Sequence, residues 1–503
     1  MCPMIDSAIL SGQTTLCCRP TQRTRTPTQN RLKLSTRGGW EHTMIPKRRK
    51  YLPVVKCGHG TERSRGSLTT PSFKTDVVVV GGGVIGLCVA RSLLEAGLEV
   101  ALVEQDAPCA GATGAGQGYV WLTHRDPASL AWELAAWSKR LWERFASLHV
   151  HERGLEWEAR GSLLVASTAE EAAQLRQRAD MLEAAGVRAQ LMDSKQVMQM
   201  EPALHLPADG GGLMVATDAQ MHAKKATFHL LDTCVALGKE GADAAGVTCG
   251  VSHFRTILGT SADELHFEDD GEGGSRCVAG VRTCKGLIQA RLGVVVAAGA
   301  WSGGWLARAL GDAAWEEAVT PRRGHLLELD PPEGMAPLTR GVMEVKYSQH
   351  YQEGGSNSIM RSETDVTFTA TRSAAGKLLL GSSRESASWN DDEAPEVTRR
   401  VLERAAMFLP GLDPDPRAHP SLSVRVGLRP QATRGLPLIG PVQDTRGLWV
   451  AAGHEGSGLT LGAATGELIR WHVNGDDGMN EGDMRWVPQS LRTSELHPSP
   501  TGL

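Results

Sequence analysis

Gly81, Gly83 and Gly86 stand at the spacing G-x-G-x-x-G directly after the apolar run Val77–Val80. In such a turn the first glycine permits the tight bend and the second lets backbone approach a pyrophosphate. The third lets a helix, opened here by Val84 and Ile85, pack on the strand with its N–H groups facing the anion. Glu104 follows eighteen residues after Gly86. A carboxylate there accepts hydrogen bonds from a ribose 2′-hydroxyl and repels a 2′-phosphate. The chemistry expected is dinucleotide binding without a 2′-phosphate; a solvated strand end is the structural alternative for Glu104.

Arg429 is the second group whose setting suggests a role. It lies in Gly427-Leu428-Arg429-Pro430, ahead of Gly435-Leu436-Pro437-Leu438-Ile439-Gly440. A planar guanidinium makes two charge-assisted hydrogen bonds to a carboxylate, fixing direction as well as charge. A structural ion pair is the competing reading, and Arg425 is the decoy for the same task. A third stretch, Gly453-His454-Glu455-Gly456-Ser457-Gly458-Leu459-Thr460, is a glycine-rich loop feeding a helix, so its N–H groups collect at the positive end of the helix dipole. His454 reads as a substrate-side group or as a packed structural histidine.

These groups need elements to hold them. Residues 76–104 read as one βαβ unit: an apolar strand, a helix over Val84–Ala96 stopped by Gly97, and a strand over Leu98–Val103. A Gly/Ala loop, Cys109–Gly118, leads to a Trp-rich helix over about Ser129–Leu148. A strand over Gly161–Ala166 precedes a capping box, Thr168 to Glu171, that opens another helix. Residues 246–289 look like a small antiparallel meander, and Val294–Ala298 like a strand buried on both faces of a parallel sheet. Alternating strands return over 320–385, followed by a helix around Pro395–Phe408. The fold expected is α/β: a Rossmann-like cofactor domain interrupted by an antiparallel-sheet substrate domain. The boundaries are a leader over 1–73, cofactor segments over 74–150, 216–319 and 421–475, substrate segments over 151–215 and 320–420, and a tail over 476–503.

The 503 residues exceed a single core and carry a formal charge of −4. Residues 1–74 hold fourteen Lys/Arg against Asp6, Glu41 and Glu62, a net of +11, which leaves −15 on the remainder. So acidic a body argues against a nucleic-acid surface. The basic, Ser/Thr-rich leader resembles an organelle transit peptide, for a plastid first, with a mitochondrion or the cytoplasm as alternatives. No apolar run reaches the ~18 residues of a membrane span. Ten cysteines show no metal-ligand spacing, so no metal is expected and the thiols are expected free.

The order of these motifs resembles the D-amino-acid oxidase superfamily of flavoproteins, over about residues 75–472. In its C-terminal motif it is most similar to glycine oxidase and its sarcosine-oxidase-like relatives. The resemblance implies non-covalent FAD: residues 431–440 contain no cysteine and residues 109–118 no histidine for attachment. Ala112, Thr113 and Gly114 match the family's pyrophosphate-side loop, although Ala115-Gly116-Gln117-Gly118 departs from the usual continuation. Ala298, Gly299 and Trp301 match the second flavin-binding strand. Gly453, His454, Gly456, Ser457, Gly458, Leu459 and Thr460 match the loop beside the flavin, and Arg429 matches the arginine that grips the substrate carboxylate. Where glycine oxidase carries an extra arginine, Glu455 and Gly456 stand here. Tyr347, Tyr351 and His325 are candidates to line the pocket. The implied reaction is oxidation of the C–N bond of a small carboxylate-bearing amino acid or secondary amine, with oxygen or another acceptor. The alternatives are a 2-hydroxy-acid dehydrogenase, a tRNA-modifying flavoprotein (disfavoured by the acidic body) and a non-catalytic FAD-binding assembly factor.

Overall fold

The computed structural model describes residues 73–149, 154–244, 252–269, 276–348, 364–386, 389–475, 485, 487–492 and 496–497, all within one compact unit, Leu68–Leu503. Residues 1–72 of the expected leader and Tyr351 lie outside the described residues, as does most of the expected tail, while Phe73 already belongs to a strand.

Val77, Val78 and Val79 are fully buried because their strand, Phe73–Val80, runs through the middle of a sheet. Each valine so placed contributes roughly 1.5–3 kcal/mol relative to exposure. Strand Val100–Val103 lies parallel to it on one side and strand Gly286–Val296 on the other. Phe254–Ile257 and Leu448–Ala452 extend the parallel set outward, and Leu438–Pro441 closes one edge antiparallel. Strand Arg276–Thr283 pairs antiparallel with the first part of Gly286–Val296, and Ala262–Asp269 pairs antiparallel with the outer side of Arg276–Thr283. The expected meander is therefore continuous with the expected parallel strand, while Phe254–Ile257 belongs to the parallel set.

The second sheet has eight strands in the spatial order Ser423–Ala432, Val319–Leu329, Leu378–Ser386, Asp365–Arg372, Gly341–Glu344, Ser162–Ala166, Gly211–Val215 and Gln190–Asp193. Every neighbouring pair is antiparallel except Gly341–Glu344 with Ser162–Ala166. Strand Ser423–Ala432 thus lies in the antiparallel sheet, whereas the sequence groups it with the third cofactor segment. The chain returns to the parallel sheet at Leu438, because Ser423–Ala432 pairs along its whole length with Val319–Leu329.

Local chemistry explains most helix ends. Ser129 accepts from Trp132 N at the start of Leu130–Leu148, and Gly97 takes φ +82° just after Val84–Glu95. At Thr168 only half of the expected box forms. Its side chain accepts from Glu171 N, but Glu171 reaches back to Ser167 rather than to Thr168 N. The 22-residue helix Ala223–Ala244 has no Ser, Thr, Asp or Asn ahead of it; His222 Nδ1 faces Lys225 N at 3.4 Å instead.

Glu467, on helix Gly458–Asn474, is fully buried at the seam with Val84–Glu95. It accepts from Ser92 Oγ at 3.0 Å, Arg470 Nε at 2.8 Å and Arg485 Nε at 3.3 Å, with Arg91 Nη2 at 4.0 Å. Removing one member of a buried ionic cluster leaves the others uncompensated, at about 3–5 kcal/mol. We expect Glu467→Gln to lower the midpoint of urea unfolding correspondingly, with an unchanged slope. An unaltered midpoint would show that the cluster adds no net stability.

Candidate active site

The segments marked out by the sequence meet at the C-terminal edge of the parallel sheet. Gly81 turns there with φ +115°, and a Cβ on it would stand 2.3 Å from the Ala297 carbonyl oxygen. A Cβ on Gly86 would stand 1.9 Å from the Gly81 carbonyl oxygen, so the helix opened by Val84 and Ile85 rides directly on the turn. Gly83 differs. A Cβ there meets only the Thr113 hydroxyl, at 3.3 Å. Internal packing does not demand its bareness, which leaves the space before the helix open to a ligand.

Thr113, in the turn Ala112–Ala115 that also holds Gly114, accepts from Val84 N at 3.2 Å and so stands over the helix N-terminus. Glu104 ends strand Val100–Val103 and accepts from Gly82 N at 2.6 Å and Asp106 N at 2.9 Å, one bond to each carboxylate oxygen. Ala298 leads into the turn Gly299–Trp301, and the Trp301 ring comes within 3.7 Å of where a Cβ on Gly111 would lie.

Gly453 follows strand Leu448–Ala452, and Gly458 starts the last long helix beside Val84. Gly456 donates its N–H to the Glu455 carboxylate at 2.5 Å. Ser457 accepts from Arg125 Nη2 at 2.8 Å, the Leu459 carbonyl from Trp142 Nε1 at 2.9 Å, and Thr460 Oγ donates to the Tyr119 carbonyl at 2.8 Å. Two helix N-termini and one glycine open to a ligand fit the pyrophosphate of a dinucleotide.

The antiparallel sheet reaches this cradle through strand Ser423–Ala432. A Cβ on Gly427 would stand 2.8 Å from Ala115 Cβ and 3.3 Å from Ala112 Cα. Arg429 lies on the same face of that strand, directly opposite Arg322 in register. Its Nη1 donates to the Ser383 carbonyl at 2.8 Å, and its guanidinium covers Gly324, where a Cβ would stand 2.3 Å from Nη2. Arg384 joins the cluster from Leu378–Ser386, its guanidinium 4.8 Å from the centre of the Tyr347 ring. Arg425, the decoy, is bonded to Glu328.

Tyr347 is therefore buried beside the Arg384 guanidinium, but His325 is not brought there. Alternation along Val319–Leu329 turns Arg323 and His325 to the face opposite Arg322. His325 Nε2 accepts from Ala394 N at 3.0 Å, so Nδ1 carries the proton toward Glu385 Oε1 at 3.0 Å. Burial would raise the Glu385 carboxyl, but bonds from His325 and Arg323 outweigh it and keep it below its ordinary value. This is a structural ion-pair cluster, and it corrects His325 as a pocket residue.

His454 is also internal. Thr465 Oγ donates to the Leu461 carbonyl, so His454 Nε2 donates to Thr465 Oγ at 2.9 Å. Burial lowers the His454 pKa to about 3, so the ring is neutral and its packed reading holds.

Arg322, Arg384 and the buried His124–Arg125 pair were not singled out by sequence. Arg322 had one available signal, its position in the strand opposite Arg429, which needs the register to be seen. Among the described residues no cluster of His, Cys, Asp or Glu could hold a metal, and no helix is long and apolar enough to cross a membrane.

A parallel-sheet nucleotide cradle backed by an antiparallel sheet that presents arginines to it defines a two-layer flavoprotein oxidoreductase. The chain belongs to the DAO family of FAD-dependent oxidoreductases, whose model matches residues 76–470. It is 30% identical to a glycine oxidase of Pseudomonas aeruginosa, across 78% of this chain and 93% of that protein. It is also 25% identical to human mitochondrial sarcosine dehydrogenase, across 88% of this chain and 44% of the relative. The fold matches the crystal structure of glycine oxidase from Geobacillus kaustophilus with a TM-score of 0.64 at 23% identity, covering 82% of this chain and 97% of the other. The protein is an FAD-dependent oxidoreductase, and FAD is the dinucleotide that the cradle holds.

Proposed function

We propose that this enzyme oxidises the C–N bond of a small amino acid or secondary amine that carries a carboxylate. The observation that carries the reading is Arg429, which donates to the Ser383 carbonyl from a strand that packs against the turn Ala112–Ala115. From there a bidentate pair with the ligand carboxylate orients the neighbouring carbon toward the cradle. FAD supplies the two-electron acceptor for its hydrogen.

The protein's own contribution is alignment and exclusion of water, not proton abstraction from carbon. Burial, with Arg125, Arg178 and Arg384 nearby, holds His124 well below the usual imidazole range, and His454 is neutral and bonded to Thr465. Glu455 stays ionised under the opposing guanidinia and is a very weak base. The glycine oxidase and sarcosine dehydrogenase relatives support an amine substrate.

The test is anaerobic bleaching of the bound flavin by a panel of amino, N-methylamino and 2-hydroxy acids. Bleaching by amino or N-methylamino acids is expected, and peroxide release in air then separates an oxidase from a dehydrogenase. Bleaching by hydroxy acids alone would replace the reading with a hydroxy-acid dehydrogenase. Bleaching by none, with FAD retained, would replace it with an FAD-binding factor.

A further inference from the structure

Glu455 is a carboxylate already held where the guanidinia converge. Its Oε1 lies 3.5 Å from Arg384 Nε and 4.0 Å from Arg322 Nη1. Burial alone would raise its carboxyl; Arg384, Arg429 and Arg322, with the Gly456 N–H, outweigh that and hold it at about 2. Its side chain is 17% exposed and that of Arg384 7%, so solvent screens these charges less than it would on an open surface. The residue reaches the cluster from φ +48°, a region that a side chain of this length rarely adopts. Strain of that kind persists only where surrounding contacts hold it, here the contacts to arginine.

We propose that Glu455 is a specificity-determining residue: an internal carboxylate that competes with the substrate carboxylate for the field of Arg322, Arg384 and Arg429. The proposal rests on the reading of Arg429 as the carboxylate grip. An anion that pairs with Arg429 enters beside a fixed negative charge in the same cluster and is repelled by it. The repulsion grows with the charge of the ligand, so Glu455 penalises a dicarboxylate more than a monocarboxylate. The substrate class that this selects is an amino acid or N-substituted amino acid with one carboxylate and an uncharged side chain.

The experiment is a titration of the FAD-loaded full chain with acetate and with malonate, followed by the flavin absorbance. Glu455→Gln is expected to tighten acetate by about tenfold and malonate by a distinctly larger factor, as loss of one nearby charge in a partly screened site predicts. Glu455→Asn, which tolerates the left-handed backbone better, is expected to do the same and serves if the glutamine variant folds poorly. Glu317→Gln, an exposed neutralisation of equal size, is expected to leave both affinities unchanged. Acetate binding no tighter in a folded Glu455 variant than in the native chain overturns the proposal. So does an equal gain in Glu317→Gln, or an equal gain for acetate and malonate. If the native chain binds acetate and Arg429→Leu does not, the carboxylate grip stands whatever Glu455 does. If neither anion binds any of these proteins, the grip and the competitor fall together.

Discussion

Gly83→Val is expected to yield a folded but colourless protein. A Cβ has room: its chain neighbours aside, the Thr113 hydroxyl at 3.3 Å is what it would meet within 4 Å. Glycine is therefore not needed here for the chain to fold. The added methyl groups occupy the space in front of the Val84 N-terminus, where the pyrophosphate meets helix N–H groups. FAD loss should be complete by absorbance after desalting, while far-UV circular dichroism keeps its native form. Gly86→Ala is the necessary contrast, because its Cβ would lie 1.9 Å from a backbone oxygen that has nowhere to go. That variant should lose soluble protein, not only flavin. A yellow, active Gly83→Val protein would show that the turn is not the phosphate site.

Arg429→Leu is expected to raise KM for a carboxylate substrate by about 10²-fold or more, or about 3 kcal/mol, the scale of a partly desolvated charge-assisted pair. FAD content should be unaffected, since Arg429 donates to the Ser383 carbonyl of the antiparallel sheet and lies on none of the glycine turns that would hold the dinucleotide. Loss of a cationic side chain also alters packing, so a second variant isolates position from charge. In Gly324→Ala the new methyl group would stand 2.3 Å from Arg429 Nη2 and must push the guanidinium off its seat while leaving its charge in place. A smaller rise in KM, in the same direction, is expected. Unchanged steady-state kinetics in Arg429→Leu would remove Arg429 from the site.

The contrast between these two positions shows which parts were legible in the sequence. The glycine turn, Glu104 and the helix over Val84–Glu95 are local: their reasons lie within a few residues or one βαβ unit, so spacing alone exposes them. Arg429 was legible only through its surrounding motif. Arg322 and Arg384 were not, because what makes them part of the site is lateral pairing. Arg322 stands opposite Arg429 by register, and Arg384 arrives from a third strand. His325 failed for a related reason. It lies three residues from Arg322 on a strand, so the period-two pleat sends the two to opposite faces. Alternating strands are legible over 320–385, but which parity faces the site is set by pairing with distant strands. His454 sat in the right loop but points into the core toward Thr465, a choice made by packing rather than by motif.

The chain passes from one sheet to the other four times: between Val103 and Ser162, Val215 and Phe254, Val296 and Val319, and Ala432 and Leu438. Neither layer is a continuous stretch of sequence, so neither can be excised or exchanged as a module. Recombining such a gene at either inner junction, between Val215 and Phe254 or between Val296 and Val319, would split both layers at once. New substrate ranges on this scaffold are therefore expected from single replacements on the face of Val319–Leu329, Leu378–Ser386 and Ser423–Ala432 that carries Arg322, Arg384 and Arg429. The glycine turns of the nucleotide cradle are carried by the other segments, and Gly427, packed against Ala115, is where such a replacement would reach them.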